Sequence, residues 1–424
     1  MLRRFAVLPA LTVVVCAGAL VLQSSEPARA PAAAGPPAER APAGAPEPAP
    51  AKPGLKLGIT EFNPAFVWSR AARPEIPAPF GQWRDALTGL HPAYFRLVIN
   101  WSALQPGAAH GANLDLPHGG CIRATPPCGG WAGVREQLAA LASRQRQGGW
   151  ETLVVISGTP AWAARGAAGC ERDGVTAQSR MPAEHALPAY RKLISDVLAA
   201  ARQEGAQLRW WSAWNEPNHP YFSSPQRATC TKRSPALAPA AYAQLTAELE
   251  VALDAAPGRQ DWVLGELAGL PRSGRRSTSV REFMAGLPSP LVCSAKVVSQ
   301  HAYVGGVDPV DAVQKSVAGH GCATQPRVWI TETGAGFAPA DLSAASQAAS
   351  RRVACEQMNA QLARWYADPR VDAAFQYTLR EDDRFRTGLV STDVTVAFPT
   401  LGLWQRWGAR AHPTDSPPVG ACDG

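Results

Sequence analysis

From Leu55 onward the chain repeats one pattern eight times: a short apolar run, then a longer amphipathic stretch. No other feature restricts the fold as strongly. Short continuous apolar runs suit strands buried on both faces, and parallel strands need a long crossover between them, usually a helix. The predicted strands are Leu57–Glu61, Tyr94–Asn100, Thr152–Ser157, Trp210–Trp214, Val263–Glu266, Val297–His301, Val328–Thr331 and Ala373–Thr378. Helical patterns fall around Trp83 and over 131–147, 184–204, 240–256, 278–286, 309–318, 343–367 and 400–409. Tyr242, Leu245, Leu249 and Leu253 recur at helical spacing, as do Met358, Leu362, Trp365 and Tyr366, so both sets read as faces packed on the sheet. The chain is therefore expected to be of the α/β class. Gly/Pro-rich inserts at 104–130, 160–182 and 218–238 follow the second, third and fourth strands.

Two strands end in the same way. Trp210 to Asn218 reads Trp-Trp-Ser-Ala-Trp-Asn-Glu-Pro-Asn, and Val328 to Gly334 reads Val-Trp-Ile-Thr-Glu-Thr-Gly. Each is an apolar run closed by a single Glu and a residue that ends the ladder. Burial and neighbours at such a strand exit can tune a carboxyl for acid/base work. Two carboxyls on two strand ends are what cleavage of a glycosidic bond requires.

The Trp-Asn-Glu-Pro at 214–217 and the Ile-Thr-Glu-Thr-Gly at 330–334, on the fourth and seventh strands, resemble the clan A glycoside hydrolases, with families 39 and 5 as the nearest expected relatives. The resemblance spans roughly Leu55 to Arg410. It implies a (β/α)8 TIM barrel whose site lies at the C-terminal ends of the strands, where the three inserts emerge. It also implies a retaining double displacement on a carbohydrate substrate, with Glu216 as acid/base and Glu332 as nucleophile. Asn215 is then expected to hydrogen-bond the sugar 2-hydroxyl, and Arg96, inward-facing on the second strand, to keep the nucleophile ionised. His301 and Tyr303 match a strand-six His-x-Tyr, in which the phenol donates to the nucleophile and the His lies near the acid/base. Glu61, Trp101, Trp162 and Tyr377 are candidate walls, while Trp210, Trp211, Trp365 and Trp407 read as core. The chain departs from the pattern at strand eight, Phe-Gln-Tyr-Thr-Leu-Arg-Glu-Asp, which lacks the usual Trp; Tyr377 stands closest to its place.

No cofactor and no metal is expected. A metal-dependent barrel hydrolase calls for a His-x-His after strand one, where this chain has Gly-Ile-Thr-Glu-Phe, and no Gly-rich phosphate loop joins a strand to a helix. A net charge of +7 without a Lys/Arg block argues against nucleic acid as a partner. Residues 1–30 have the form of an export signal, with Arg3 and Arg4 before an apolar run from Phe5 to Leu22; the same run left uncleaved would tether the chain to a membrane. Residues 31–54, almost all Ala, Pro, Gly and Glu, form a disordered spacer before the catalytic domain at 55–424. Beyond Cys16 the chain has eight cysteines, an even number that suits an oxidising compartment outside the cytoplasm. The favoured pairings are Cys121–Cys128, Cys170–Cys230, Cys293–Cys322 and Cys355–Cys422. The competing reading is a catalytically silent barrel that binds glycan at the cell surface; two intact carboxyls speak against it.

Overall fold

The residues of Tyr94–Asn100 face two apolar environments in turn. Tyr94 and Val98 join one buried cluster, while Phe95, Leu97 and Ile99 join another. Such a strand is buried on both sides, as a strand of a sheet closed into a barrel must be. The computed structural model describes residues 54–67, 78–117, 133–306, 308, 310–336, 343–382, 385–409 and 422. Its strands are β1 (Lys56–Thr60), β2 (Tyr94–Asn100), β3 (Glu151–Ser157), β4 (Trp210–Ser212), β5 (Asp261–Trp262), β6 (Leu264–Leu267), β7 (Val297–His301), β8 (Arg327–Thr333) and β9 (Val371–Tyr377).

All pairings are parallel, in the order β5-β4-β3-β2-β1-β9-β8-β7-β6. The two ends of that order, β5 and β6, are one strand position interrupted at Val263, whose N–H donates to Trp211 O at 2.8 Å. The nine segments therefore make the eight positions of a (β/α)8 barrel. The predicted fourth strand is cut short, ending at Ser212 rather than Trp214, and the predicted fifth is split in two.

Helices occupy the predicted intervals: 78–88, 134–146, 187–204, 238–254, 280–285, 310–319, 344–367 and 399–408. Their apolar faces meet the outer faces of the strands in one large core that includes Tyr242, Leu249, Met358, Leu362, Trp365 and Trp407. Inside the barrel, near the starts of the strands, Tyr94, Leu153, Val155, Trp210, Val297, Trp329 and Phe375 form a separate cluster. The rings of Tyr94 and Trp210 lie 4.7 and 4.8 Å from Trp329, so side chains fill the lower barrel completely.

Three of the four favoured disulfides are present, Cys170–Cys230, Cys293–Cys322 and Cys355–Cys422. Cys121, Cys128, the N-terminal segment and nearly all of the proposed spacer lie outside the described residues. No helix among the described residues is long and apolar enough to cross a membrane.

Candidate active site

On β2, Arg96 sits between Tyr94 and Val98 on the strand's inner face and above the aromatic floor, so its guanidinium enters the barrel axis. It is 1% exposed and cannot stand alone there. Its Nε–H donates to Glu266 Oε2 (2.7 Å), its Nη2 donates to Asn215 Oδ1 (2.7 Å), and its Nη1 lies 2.8 Å from Glu332 Oε1 as an ion pair outside hydrogen-bond angles. Burial opposes this charge, but Glu266 and Glu332 outweigh burial and raise the pKa.

Backbone irregularities bring the carboxylates to this cation. Glu216 and Glu266 both adopt left-handed φ angles, 41° and 57°, which are costly for residues other than glycine, and the Glu216 N–H donates to Glu266 O at 2.9 Å. Glu332 follows a register shift in β8, after which it pairs with His301 of β7. Such bulges re-aim side chains beside active sites. Asn218 then bolts the exits of β4 and β6 together: its Nδ2 donates to Ala268 O (2.9 Å) and its Oδ1 accepts from Ala268 N (2.8 Å).

His301 lies at the centre of the three acids. Nδ1 is 2.8 Å from Glu216 Oε1 and 3.3 Å from Glu332 Oε2, and Nε2 is 3.3 Å from Glu266 Oε2. Carboxylates on both sides assign a proton to each ring nitrogen. Burial works against the charged imidazole, but Glu332 and the bonds to Glu216 and Glu266 prevail and push its pKa up to about 10. Burial likewise acts to raise Glu266, and Arg96 and then His301 reverse the direction and hold it down at about 2. Burial raises Glu332, with Glu216 adding to it, while His301, Arg96 and the Tyr303 hydroxyl pull the other way. Tyr303 Oη–H donates to Glu332 Oε2 at 2.7 Å.

Glu216 and Glu332, with side chains 16% and 10% exposed, open into a cavity of about 570 Å³. One wall is aromatic: the Phe385 ring stands edge-on to Tyr303 (4.8 Å) and Tyr377 (5.4 Å), and Phe62 edge-on to Tyr377 (5.8 Å). The opposite wall is formed by His219, Phe222 and the turn from Ala268 to Leu270. Burial lowers the pKa of His219 against the pull of Glu216, and its Nδ1 lies 3.8 Å from Glu216 Oε2.

Of the residues singled out in the sequence, Glu216, Glu332, Asn215, Arg96, His301, Tyr303 and Tyr377 all line this cavity. Three others do not, and their roles are corrected. Glu61 turns its carboxylate to the backbone, accepting from Asn63 N (2.9 Å), Leu379 N (3.1 Å) and Arg380 N (3.2 Å), which joins the end of β1 to the chain beyond β9. Trp101 is fully buried, edge-on to Trp162 at 5.7 Å, and donates to Gln105 Oε1 (2.8 Å). Trp162, partly buried, donates to Gln105 O at 3.0 Å, so this pair fastens the loop after β2. Glu266 was missed, although an ionisable residue at the predicted end of the fifth strand was a visible signal. Phe62, His219, Phe222 and Phe385 lie in irregular segments where no period marks them.

Glu216, His301 and Glu332 offer ligand atoms within 4.8 Å of one another, the spacing of a metal site. The chemistry of the set does not fit one. His301 has both ring nitrogens turned toward carboxylates and no lone pair to lend, and Arg96 already supplies a cation to Glu332.

No family model and no curated protein matches the chain. Among solved structures, the fold is similar to a GH39 β-xylosidase from Caulobacter crescentus, with TM-score 0.52 and 16% identity over 85% of this chain and 72% of that one. It is also similar to SrfJ from Salmonella typhimurium, with TM-score 0.51 and 10% identity over 87% and 76% of the two chains. A conserved exported protein from Bacteroides fragilis gives TM-score 0.51 and 11% identity over 87% and 82%. At these identities the likeness is one of fold, and the expected (β/α)8 barrel is borne out.

Proposed function

We propose that the chain is a retaining glycoside hydrolase that works outside the cytoplasm on β-linked carbohydrate. The observation that carries this reading is the pair of cavity-lining carboxylates, Glu216 and Glu332, with oxygens within 4.8 Å of each other. Retaining enzymes hold their carboxyls about 5–5.5 Å apart, whereas inverting enzymes leave about 6.5–9.5 Å for a water molecule. The two environments also differ in the way the roles require. Glu332 receives the Tyr303 hydroxyl and the Arg96 charge, which suits an anion that attacks carbon. Glu216 opens into the cavity, which suits a carboxyl that must reach a leaving group.

In the first step Glu332 forms a bond to the anomeric carbon as the bond to the leaving oxygen breaks, and that oxygen takes the proton of Glu216. In the second, water attacks the same carbon, its proton passes to Glu216, and the bond to Glu332 breaks. Asn215, fixed by Arg96, is assigned to the sugar 2-hydroxyl, and Tyr377 with Phe62 and Phe385 to the apolar face of the ring. Three disulfides support an oxidising location.

The test is a pair of variants assayed on aryl β-glycosides. Glu332→Gln is expected to abolish turnover. Glu216→Ala is expected to accumulate a glycosyl-enzyme and to be restored by azide, giving a β-glycosyl azide. Full activity in both variants would overturn the assignment of both glutamates and move the chemistry to another site, whereas a wild type without turnover on any glycoside would favour a silent, glycan-binding barrel.

A further inference from the structure

The mechanism just proposed uses two carboxylates, yet the site holds three. Glu266 is 0% exposed and does not line the cavity, so no substrate reaches it. Burying a further carboxylate costs several kcal/mol before its partners repay it, and an apolar side chain of similar volume would often serve stability as well or better. The backbone adds to this cost through the left-handed φ of Glu266.

Its contacts supply the reason. Oε2 takes the inner edge of the Arg96 guanidinium, which leaves Nη1 pointing at Glu332 and Nη2 at Asn215. The same oxygen faces His301 Nε2, so the opposite nitrogen, Nδ1, is aimed between Glu216 and Glu332. Ser299 holds Glu266 in turn, its Oγ accepting from Glu266 N (2.7 Å) and lying 3.3 Å from Oε1. The Glu266 carbonyl accepts the backbone N–H of Glu216 itself. Each cation of the site thus has one side against Glu266 and the other against an acid that faces the cavity.

We propose that Glu266 is a positioning residue: a buried anion that keeps Arg96 against Glu332 and Asn215, and keeps His301 doubly protonated beneath Glu216. This rests on the glycosidase reading but is tested apart from it. Among the described residues, the charged and titratable groups facing His301 are Glu216, His219, Glu266, Glu332, Arg96 and Tyr303, and Glu266 is the carboxylate on the Nε2 side. Its removal therefore frees the Nε2 proton at lower pH.

Glu266→Gln, which keeps the shape and loses the charge, is expected to lower kcat about 100-fold, the scale of an ångström-sized misplacement, with little change in KM. The alkaline limb of its kcat profile is expected to move to lower pH. Glu266→Asp keeps the charge on a shorter stem, so kcat falls while the alkaline limb stays. Nitrogen-15 NMR of the wild-type protein is expected to show both His301 ring nitrogens protonated at pH 7. A purely structural carboxylate would instead lower thermal stability and leave the pH profile of the folded fraction alone. A folded Glu266→Gln with the wild-type profile overturns the proposal. So does a shifted limb in Glu266→Asp, or a His301 with a single ring proton in the wild type, and these two measurements decide the matter if Glu266→Gln does not fold. The two failures are separable: with Glu332→Gln inactive and Glu266→Gln normal, only the positioning role falls.

Discussion

Glu61 shows how a residue chosen for one job can turn out to hold another. Burial pushes its carboxyl up to about 7, against the pull of backbone N–H donors at Asn63, Arg380 and Leu379 and of the Arg380 charge. Between the ordinary value of 4.5 and 7 the folded state binds this proton more tightly than the unfolded chain, so Glu61 lowers stability as pH rises through that window. The full effect is on the order of 3 kcal/mol. Urea midpoints of the wild type and Glu61→Gln measured from pH 4 to pH 8 should diverge in slope, the variant being flatter. Parallel curves would remove Glu61 from this role. The shifts of His301 and Glu266 act at the outer ends of the pH scale: the His301 contribution is complete below about 6.5 and lost as pH rises through about 10, and that of Glu266 is complete above 4.5 and lost as pH falls through about 2. Arg96 could be read in the sequence because β2 keeps strict period two, which puts a lone Arg among inward apolar residues. Trp101 and Trp162 were misread for a physical reason: a ring at a strand exit looks the same in a sequence whether it faces the mouth or turns back beneath a loop.

At the level of elements, the eight strand-helix units were legible because parallel barrel strands have two apolar faces and helices have one, and those periods differ. What period cannot show is where it breaks. The left-handed turns at Glu216 and Glu266 and the shift in β8 before Glu332 are departures from alternation, and they gather the acids around Arg96 and His301. The wall beside Glu216 depends on a different kind of fastening. Arg227, fully buried, donates to Ser234 O (2.7 Å), Gly274 O (3.0 Å) and Glu282 Oε1 (2.8 Å), while Cys170–Cys230 ties the insert after β3 to the insert after β4. Arg227→Met leaves buried carbonyls without a donor and should cost about 3–5 kcal/mol by denaturant unfolding. Glu282→Gln should cost less, because Glu282 is one-third exposed and water can replace the lost charge pairing. Equal losses for the two would show that the ion pair, and not the set of backbone bonds, is what matters.

In the molecule as a whole, the aromatic and aliphatic cluster at the barrel floor lies directly beneath the inner-face residues that carry the site. On β2 the order from bottom to top is Tyr94, Arg96 and Val98. Leu153→Ala, in that floor and in register with Arg96, should cost about 2–5 kcal/mol of stability. A fall in kcat with stability intact would mean that the floor and the site are one unit. The filled floor has a further consequence for traffic. Because side chains fill the barrel beneath Arg96, a molecule reaches the cavity above it from the C-terminal ends of the strands, past Phe62, Phe222 and Phe385. On the glycosidase reading, the bulk of these three rings sets which acceptor reaches the site.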